Sequence, residues 1–451
     1  MRRTLVFGLV IAFTLSACSS ASDEATEVAV DETEVVENRG NPVPRNLEVL
    51  GPVPENMFGM HVPLVACAKV PAVAKIPDCK KGSWPDVPIQ SLRLWDSYTT
   101  WRDIEVRNDF FNWSALDLAV QTAEKNDASI LLVLGPTPSW SATTIKEEDL
   151  KGPGSAAPPT YFDDFRFYAQ EVAARYRGRI GAYQIWNEAN LKSFWRGTPE
   201  QMAELTKAAY DVIKEEDPEA LVVAASTTTR AEGAFQAWFP RYLKELENLG
   251  WPVDVFSAHA YPPSTMTPAQ RVIYLRQVNE LLANAYAPPL PLWDTEVNYG
   301  LAGPGPEHPD VDLPGNTQAA WLAQTYFDSF RTGVTRTYWF QWSPISPNSL
   351  LGVITWPGSK AAKTLEVIEG WLTKAEWQGC TESNGLIECA ITNETGDGAI
   401  VWSQTGEQKW TAKGVVSQMC QIDGRCTKST AKEWSVGEAP ILVYLSSAQV
   451  S

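Results

Sequence analysis

From about residue 56 the apolar positions of the chain keep two alternating rhythms. Short runs rich in β-branched, aromatic and aliphatic residues read as strands: NMFGMHV (56–62), SLRLWD (91–96), SILLVLGPT (129–137), AYQIWNE (182–188), LVVAAS (221–226), DVFSAHAY (254–261), PLWDTEV (291–297) and RTYWFQWS (336–343). Longer stretches of helical spacing lie among them, beginning with WSALDLAVQTAEKN (113–126) between the second and third runs. In TPEQMAELTKAAYDVIKEE (198–216), Met202, Leu205, Ala209, Val212 and Ile213 fall at i, i+3, i+7, i+10 and i+11, a single face. Thr198 and Pro199 start that helix with a hydroxyl cap and a first-turn proline. WLAQTYFDSF (321–330) and TLEVIEGWL (364–372) are the last two helical stretches. Eight such beats predict an α/β chain with a (β/α)8 barrel over residues 49–375. The competing architecture, a doubly wound open sheet, calls for a Gly-rich turn after the first strand, and FGMHV leads into none.

After Ala375 the helical rhythm stops. GLIECAITN (385–393), GAIVWSQTG (398–406), GVVSQMCQI (414–422) and APILVYLS (439–446) are short strands separated by turns. They predict a small all-β, sandwich-like domain at 376–451, packed on the barrel.

The N-terminal region has another character. Met1-Arg2-Arg3 and the apolar TLVFGLVIAFTL (4–15) match a signal-peptide core and are too short for a comfortable membrane span. Leu15-Ser16-Ala17-Cys18 resembles a bacterial lipobox. That resemblance implies removal of residues 1–17, acylation of Cys18 and a lipid anchor worth about 0.8 kcal/mol per buried CH₂. Ordinary secretion with an incidental Cys is the alternative. Residues 18–48 are acidic, lack aromatics and end among Pro and Gly, the composition of a flexible tether. The expected location is extracytoplasmic, in a bacterial cell envelope.

The formal net charge of −17 argues against nucleic acid, whose phosphates require Lys and Arg. A neutral or cationic partner fits better, although an acidic surface is also the mark of a salty habitat. Of the seven Cys, six fall in near neighbours: Cys67 and Cys79, Cys380 and Cys389, Cys420 and Cys426. Six Cys allow 15 pairings, and export to an oxidising compartment favours the short-range set. A metal reading is poor, because there is no CxxC and the three His, at 61, 259 and 308, form no cluster in sequence. No metal, organic cofactor or obligate protein partner is indicated.

A barrel carries its site at the C-terminal ends of its strands. Read there, seven of the eight strands offer candidates: His61; Arg93 and Asp96; GPTPSW with Trp140; Asn187 and Glu188; then, past the fifth, His259 and Tyr261; Asp294 and Glu296; and Gln341 and Trp342. Glu188 and Glu296 thus end the fourth and seventh strands, facing each other across the mouth. Retaining cleavage of a glycosidic bond uses such a pair about 5–5.5 Å apart. One carboxylate must be ionised, which Arg93 would favour by lowering its pKa. The other must stay protonated, which a less polar setting would favour.

IWNEAN (185–190) and LWDTEVNYG (292–300) resemble the acid/base and nucleophile motifs of the clan A retaining glycoside hydrolases. FGMHV, RLWD, GPTPSW and SAHAYP match the same pattern in the same order. Within the clan, the chain is most similar to glycoside hydrolase family 39 and the related bacterial exopolysaccharide endoglycosidases, over most of residues 56–375. The resemblance implies Glu188 as acid/base and Glu296 as nucleophile. It implies Asn187 as donor to a sugar 2-hydroxyl, Arg93 and Tyr261 as partners of Glu296, His259 as a lining residue and Trp342 as the floor under the reacting sugar. Trp140 and Trp195 are further candidates as stacking platforms for a carbohydrate substrate, while Asp96, Asp294 and His61 read as supports. In one respect the chain departs from the family's β-xylosidases, which give early strands to the β domain, whereas here a tether leads into the barrel. A glycan-binding lipoprotein without catalysis and a structural envelope protein are the competing functions; the presence of both carboxylates argues against the first, and the aromatic and charged groups gathered at strand ends argue against the second.

Overall fold

A computed structural model describes residues 45, 48–71, 74, 75, 79, 84–302, 311–343 and 351–446. The leader, Cys18 and most of the expected tether lie outside them. The chain enters as a two-residue strand, β1 (Gly51–Pro52), and lays down β2 (Phe58–His61) and β3 (Ser91–Leu94). A four-residue helix α1 (Trp101–Ile104) and a hairpin of β4 (Glu105–Arg107) with β5 (Phe110–Phe111) follow. Helix and strand then alternate: α2 (Ser114–Lys125), β6 (Ser129–Val133), α3 (Phe162–Arg175), β7 (Ala182–Gln184), α4 (Pro199–Glu216), β8 (Leu221–Val223), α5 (Glu232–Asn248), β9 (Phe256–Ala258), α6 (Pro268–Asn284), β10 (Leu292–Val297), α7 (Gly315–Phe330), β11 (Val334–Trp339) and α8 (Lys360–Leu372).

Each of the eight expected strands is present. They pair in parallel in the order β8-β7-β6-β3-β2-β11-β10-β9. A parallel bridge between Val223 and Val255 joins the two ends of that order into a barrel. The first beat differs from expectation. Among its described residues it holds only a one-turn helix, Cys67–Lys69, in a segment broken by Pro63 and Pro71. The stripe expected on α4 is buried throughout, and Thr198 accepts from the Gln201 backbone amide while Gln201 reciprocates.

The barrel interior is layered. Leu131, Ala182, Val223, Val255, Trp293 and Tyr338 form an apolar plug. Gln184, Ser257 and Thr295, each two residues further along its strand, make a polar layer above it, as the two-residue period of a strand dictates. Asp294 points the other way, toward the helices. There it pairs with Arg271 at 2.7 Å, both side chains fully buried, and Arg271 also donates to the Thr325 carbonyl and the Ser329 hydroxyl. Asp294 therefore ties β10 to α6 and α7 and takes no part in the mouth.

The remaining strands are β12 (Glu376–Ser383), β13 (Leu386–Asn393), β14 (Gly396–Ser403), β15 (Gln408–Thr411), β16 (Val416–Gln421), β17 (Cys426–Lys428), β18 (Glu433–Val436) and β19 (Ile441–Leu445). Seven strands form one antiparallel sheet, β1-β12-β13-β14-β19-β16-β17, and β15 with β18 forms a second. Alternation along β14 gives the sheet two faces. Ile400 and Trp402 join the main core, where Phe327 and Phe330 of the barrel meet Trp377 and Trp402, while Ala399 and Val401 pack with Trp410 and Val436. The presence of β1 in this sheet corrects the expectation that the N-terminal segment adds nothing to the β domain. Gly51 and Pro52 pair with Trp377 and Glu376 before the chain enters the barrel. Two strand residues among prolines give no periodic signal from which this pairing could be read. All three short-range disulfides are present, two of them between directly opposed strand residues: Cys67–Cys79, Cys380–Cys389 and Cys420–Cys426.

The buried Arg271–Asp294 pair sets a clear expectation. Asp294→Ala leaves a guanidinium uncompensated and should cost about 3–5 kcal/mol, read as a lower denaturant midpoint. Combining Arg271→Met with Asp294→Leu, which replaces both charges by apolar groups, should recover most of that loss.

Candidate active site

The site grows out of the polar layer of the barrel. Arg93, 1 % exposed, stands on β3 and is surrounded by acceptors. Its Nε donates to Gln184 Oε1 at 2.9 Å, Nη1 to Glu296 Oε2 at 2.8 Å and Nη2 to Asn187 Oδ1 at 2.9 Å. Tyr261 donates its hydroxyl to the other oxygen of Glu296 at 2.9 Å. Its phenol pKa is pushed far up by burial and by the two carboxyls, so it remains a donor. With Oδ1 of Asn187 taken by Arg93, Nδ2 is left as a donor at the mouth.

Glu188 has different company. His259 Nδ1 lies 3.2 Å from its Oε1, and His259 Nε2 lies 3.1 Å from the Thr295 hydroxyl. Burial drives the His259 pKa down to about 3, so this contact is a hydrogen bond of a neutral imidazole, not an ion pair. The Glu188 amide donates to the Ser226 hydroxyl at 3.0 Å. One atom each of Glu188, His259 and Glu296 lie within 4.8 Å of one another, so the two carboxyls approach across the mouth as expected. These three are also the one group among the described residues with the donor types for a cation. Both His259 nitrogens and both Glu296 oxygens already hold hydrogen-bond partners, and the Arg93 charge sits 2.8 Å from Glu296. That environment fits a pair of acids better than a metal.

Local backbone features aim both carboxyls. Along β10, Asp294 faces the helices and Thr295 the interior, so simple alternation would turn Glu296 outward. The pairing of β10 with β11 shifts register between Asp294 and Val297, and the irregularity re-aims Glu296 toward the mouth. Glu188 sits at φ 43°, a left-handed conformation that a side chain adopts at a cost of about 1–2 kcal/mol. Bonds around it hold that turn. Asn190 donates to the Thr228 carbonyl and accepts from the Thr228 amide, and Ala189 donates to Ser226.

The electrostatics correct one expectation. Burial raises the pKa of Glu296 despite the Arg93 charge, and burial raises that of Glu188 despite Arg230. Glu296 is thus not held low. What separates the two is the donor set, since Arg93 and Tyr261 both stabilise charge on Glu296 and neither bonds Glu188. Two carboxyls so close titrate as a pair, and the Glu188 charge raises Glu296 further.

The other candidates divide. His61 supports the site, donating Nε2–H to the Thr295 carbonyl at 3.1 Å. Asp96 pairs with Lys151 and anchors the 143–160 loop at the rim, beside a hollow of about 300 Å³ lined by Trp95, Tyr98 and Pro136. Trp195 is not a subsite wall. It is 1 % exposed, packs against Trp186 and donates to the Thr198 carbonyl, because the chain turns under itself before α4. Trp342 follows β11 and bonds His61 through its backbone, but at 2 % exposure it offers no open floor. Trp140 is half-buried, its indole edge-on to Trp101 and its N–H on the Glu105 carbonyl.

Sequence reading missed Gln184, Thr295, Ser226 and Arg230. A Gln at an inward position of a buried strand was the available signal for the first. Arg230 follows a run of hydroxyl residues after β8, and its Nη1 is buried without a hydrogen-bond partner. Its charge is the largest of those acting on Glu188.

Residues 94–341 match glycosyl hydrolases family 39. A β-xylosidase of Geobacillus stearothermophilus is 24 % identical over 278 residues, covering 54 % of this chain. The match spans about half of that relative, 52 % of its length. Among solved structures, a glucosidase from Croceicoccus marinus superposes with a TM-score of 0.61 at 13 % identity, covering 90 % of this chain and 99 % of its own. A monomeric β-xylosidase from Caulobacter crescentus CB15 does so with 0.60 at 15 %, covering 88 % and 97 %. At such identities the structures speak for the fold, and the family match speaks for descent. It takes in more than half of the chain, from the end of β3 to the residue before Trp342, and with it both carboxyls. This chain belongs to glycosyl hydrolases family 39.

Proposed function

We propose that the chain is a retaining glycosidase working by double displacement, with Glu296 as nucleophile and Glu188 as acid/base. The observation that carries this reading is the unequal treatment of two carboxyls that approach within 4.8 Å. Arg93 and Tyr261 both donate to Glu296, whereas Glu188 has a neutral His259 and the Thr228 hydroxyl beside it and no bond from either of those donors. In the first step a Glu296 oxygen bonds the anomeric carbon while Glu188 passes its proton to the leaving oxygen. In the second, Glu188 takes a proton from water, whose oxygen displaces Glu296 and restores the free carboxylate. Asn187 Nδ2 donates to the hydroxyl beside the reacting carbon. Arg230 favours the carboxylate form of Glu188 and so assists release of its proton.

The family and the β-xylosidase relative make a β-xyloside the first substrate to try. We further propose an exported lipoprotein, acylated at Cys18, on the strength of the LSAC sequence and three disulfide pairs suited to an oxidising compartment. Cys18→Ser should then release the protein from the membrane fraction and abolish incorporation of a labelled fatty acid.

Three outcomes test the catalytic reading. A 2-deoxy-2-fluoro glycoside with an activated leaving group should label Glu296, located by peptide mass spectrometry, and NMR should show the product with the substrate's anomeric configuration. An inverted product, or full activity in both Glu188→Gln and Glu296→Gln, would sink the assignment. Glu188→Gln should slow substrates with poor leaving groups by about 10²–10⁴-fold and activated aryl glycosides far less.

The pH profile should be bell-shaped, its acid limb reporting Glu296 and its alkaline limb Glu188. Burial raises both groups, so both limbs should lie above the ordinary carboxylate range of about 4. Arg230→Gln removes a charge that lowers Glu188, so the alkaline limb should move to higher pH while the acid limb stays. An unmoved alkaline limb would show that Arg230 does not act on the acid.

A further inference from the structure

A second cavity lies where the barrel meets the β domain, outside the carboxyl pair. It measures about 600 Å³, within the ~300–1,000 Å³ of small-molecule sites. One wall is the first turn of α7 (Asn316, Ala319) and of α8 (Lys360, Lys363, Thr364). The other is the β16–β17 turn and the segment between β18 and β19. Helices that follow barrel strands begin at the strands' C-terminal side, so this cavity opens at the same level of the barrel as Glu188 and Glu296.

Its walls are fixed in place. Cys420–Cys426 closes the hairpin that presents Gln421, Asp423 and Arg425. Gly424 in that turn has φ 89°, and a Cβ there would meet Val367 at 3.3 Å, so glycine lets the turn lie directly on α8. Thr364 donates to the Ile422 carbonyl at 3.1 Å, and Thr317 to Glu438 at 2.9 Å. Gln324 donates to the Glu438 carbonyl at 2.6 Å. The lining chemistry is balanced. Lys360, Lys363 and Arg425 line it together with Glu407, Asp423 and Glu438; Arg425 pairs with Asp423 on the same turn, Lys363 with Glu366, and Lys360 donates to Asn316.

The backbone that leads into α8 links the mouth to the cavity wall. Thr355 pairs with Trp342 at the end of β11 and donates to the Gln341 carbonyl. Trp356 follows, 37 % exposed, the one Trp among the described residues' large exposed apolar side chains. Ser359 then caps α8, and Lys360 enters the cavity wall. An exposed indole four residues before Lys360 of the cavity wall suits the apolar face of a pyranose. Alternating donors and acceptors of both signs suit hydroxyls, which do both. The net charge of −17 disfavours a polyanion.

From this we infer that the cavity, approached over Trp356, is a second saccharide site that holds a distal stretch of a neutral polysaccharide. The inference rests on the glycosidase reading for the claim that the same polymer is cut at the mouth. It commits the enzyme to chains longer than the mouth can hold.

The test uses the full chain with neutral xylo-oligosaccharide and gluco-oligosaccharide ladders, and with Trp356→Ala and a Lys360→Ala/Arg425→Ala double variant. Backbone NMR shifts at Gln421–Arg425 should respond to long oligomers of one ladder and not to its monosaccharide, whether or not turnover occurs. Each variant should weaken long-oligomer binding about tenfold. Hydrolysis of a short aryl glycoside should stay within about twofold of the parent, and Trp356→Phe should keep most of the binding. Long-oligomer binding unchanged in both variants, or no shift at the turn with either ladder, overturns the second site even if catalysis is confirmed. Shifts at the turn with no hydrolysis of any glycoside keep the second site and overturn the glycosidase reading instead. A uronate ladder serves as the charged control, and a response confined to it overturns the assignment to neutral chains.

Discussion

A buried guanidinium organises the working end of this barrel. Arg93 is removed from water on β3 and survives there because every nitrogen that donates finds an acceptor on another strand: Gln184 on β7, Asn187 beyond it, and Glu296 on β10. An unpaired buried charge costs several kcal/mol, so these contacts are mutually enforcing. Gln184, bound on one side by Arg93, passes the constraint to Ser257 and Thr295 through its amide. Thr295 in turn meets His259, and His259 meets Glu188. One connected network therefore sets the relative placement of both carboxyls.

The same carboxyls depend on departures from ideal geometry. Glu296 reaches the mouth because β10 slips register against β11, and Glu188 because its backbone turns left-handed. Both features oppose the regularity that makes the rest of the barrel stable. Strain of this kind persists where surroundings over-determine it, here by the paired bonds of Asn190 with Thr228 and by the Ser226 hydroxyl. The barrel below is ordinary apolar packing, and the anchor of β10 on its outer side is the Arg271–Asp294 pair.

The β domain is more than an appendage. Its main sheet takes β1 from the segment that precedes the barrel, so stretches from before and after the barrel pair in one sheet. One face shares its aromatic core with α7 and α8, the helices whose first turns also shape the second cavity. A single packing arrangement thereby fixes both the orientation of the domain and the shape of that hollow.

The sequence by itself determined the eight strands, the α4 helix with its cap, the change to an all-β tail and the placing of Glu188 and Glu296 at strand ends, because periodicity and strand ends are local properties. The near-neighbour cysteine pairs were legible for the same reason. Tertiary structure alone decided which tryptophans are covered: Trp186 and Trp195 pack on each other, so SFWRG is interior where it read as a wall. It alone decided that burial outweighs Arg93 in setting the Glu296 pKa, since desolvation depends on everything that surrounds a group. It alone brought the Arg230 charge to bear on Glu188 and set β1 beside β12, relations between segments far apart in the chain. Local pattern carries which residue types stand at the mouth. Their protonation, their aim and their exposure come from neighbours that only the closed barrel supplies.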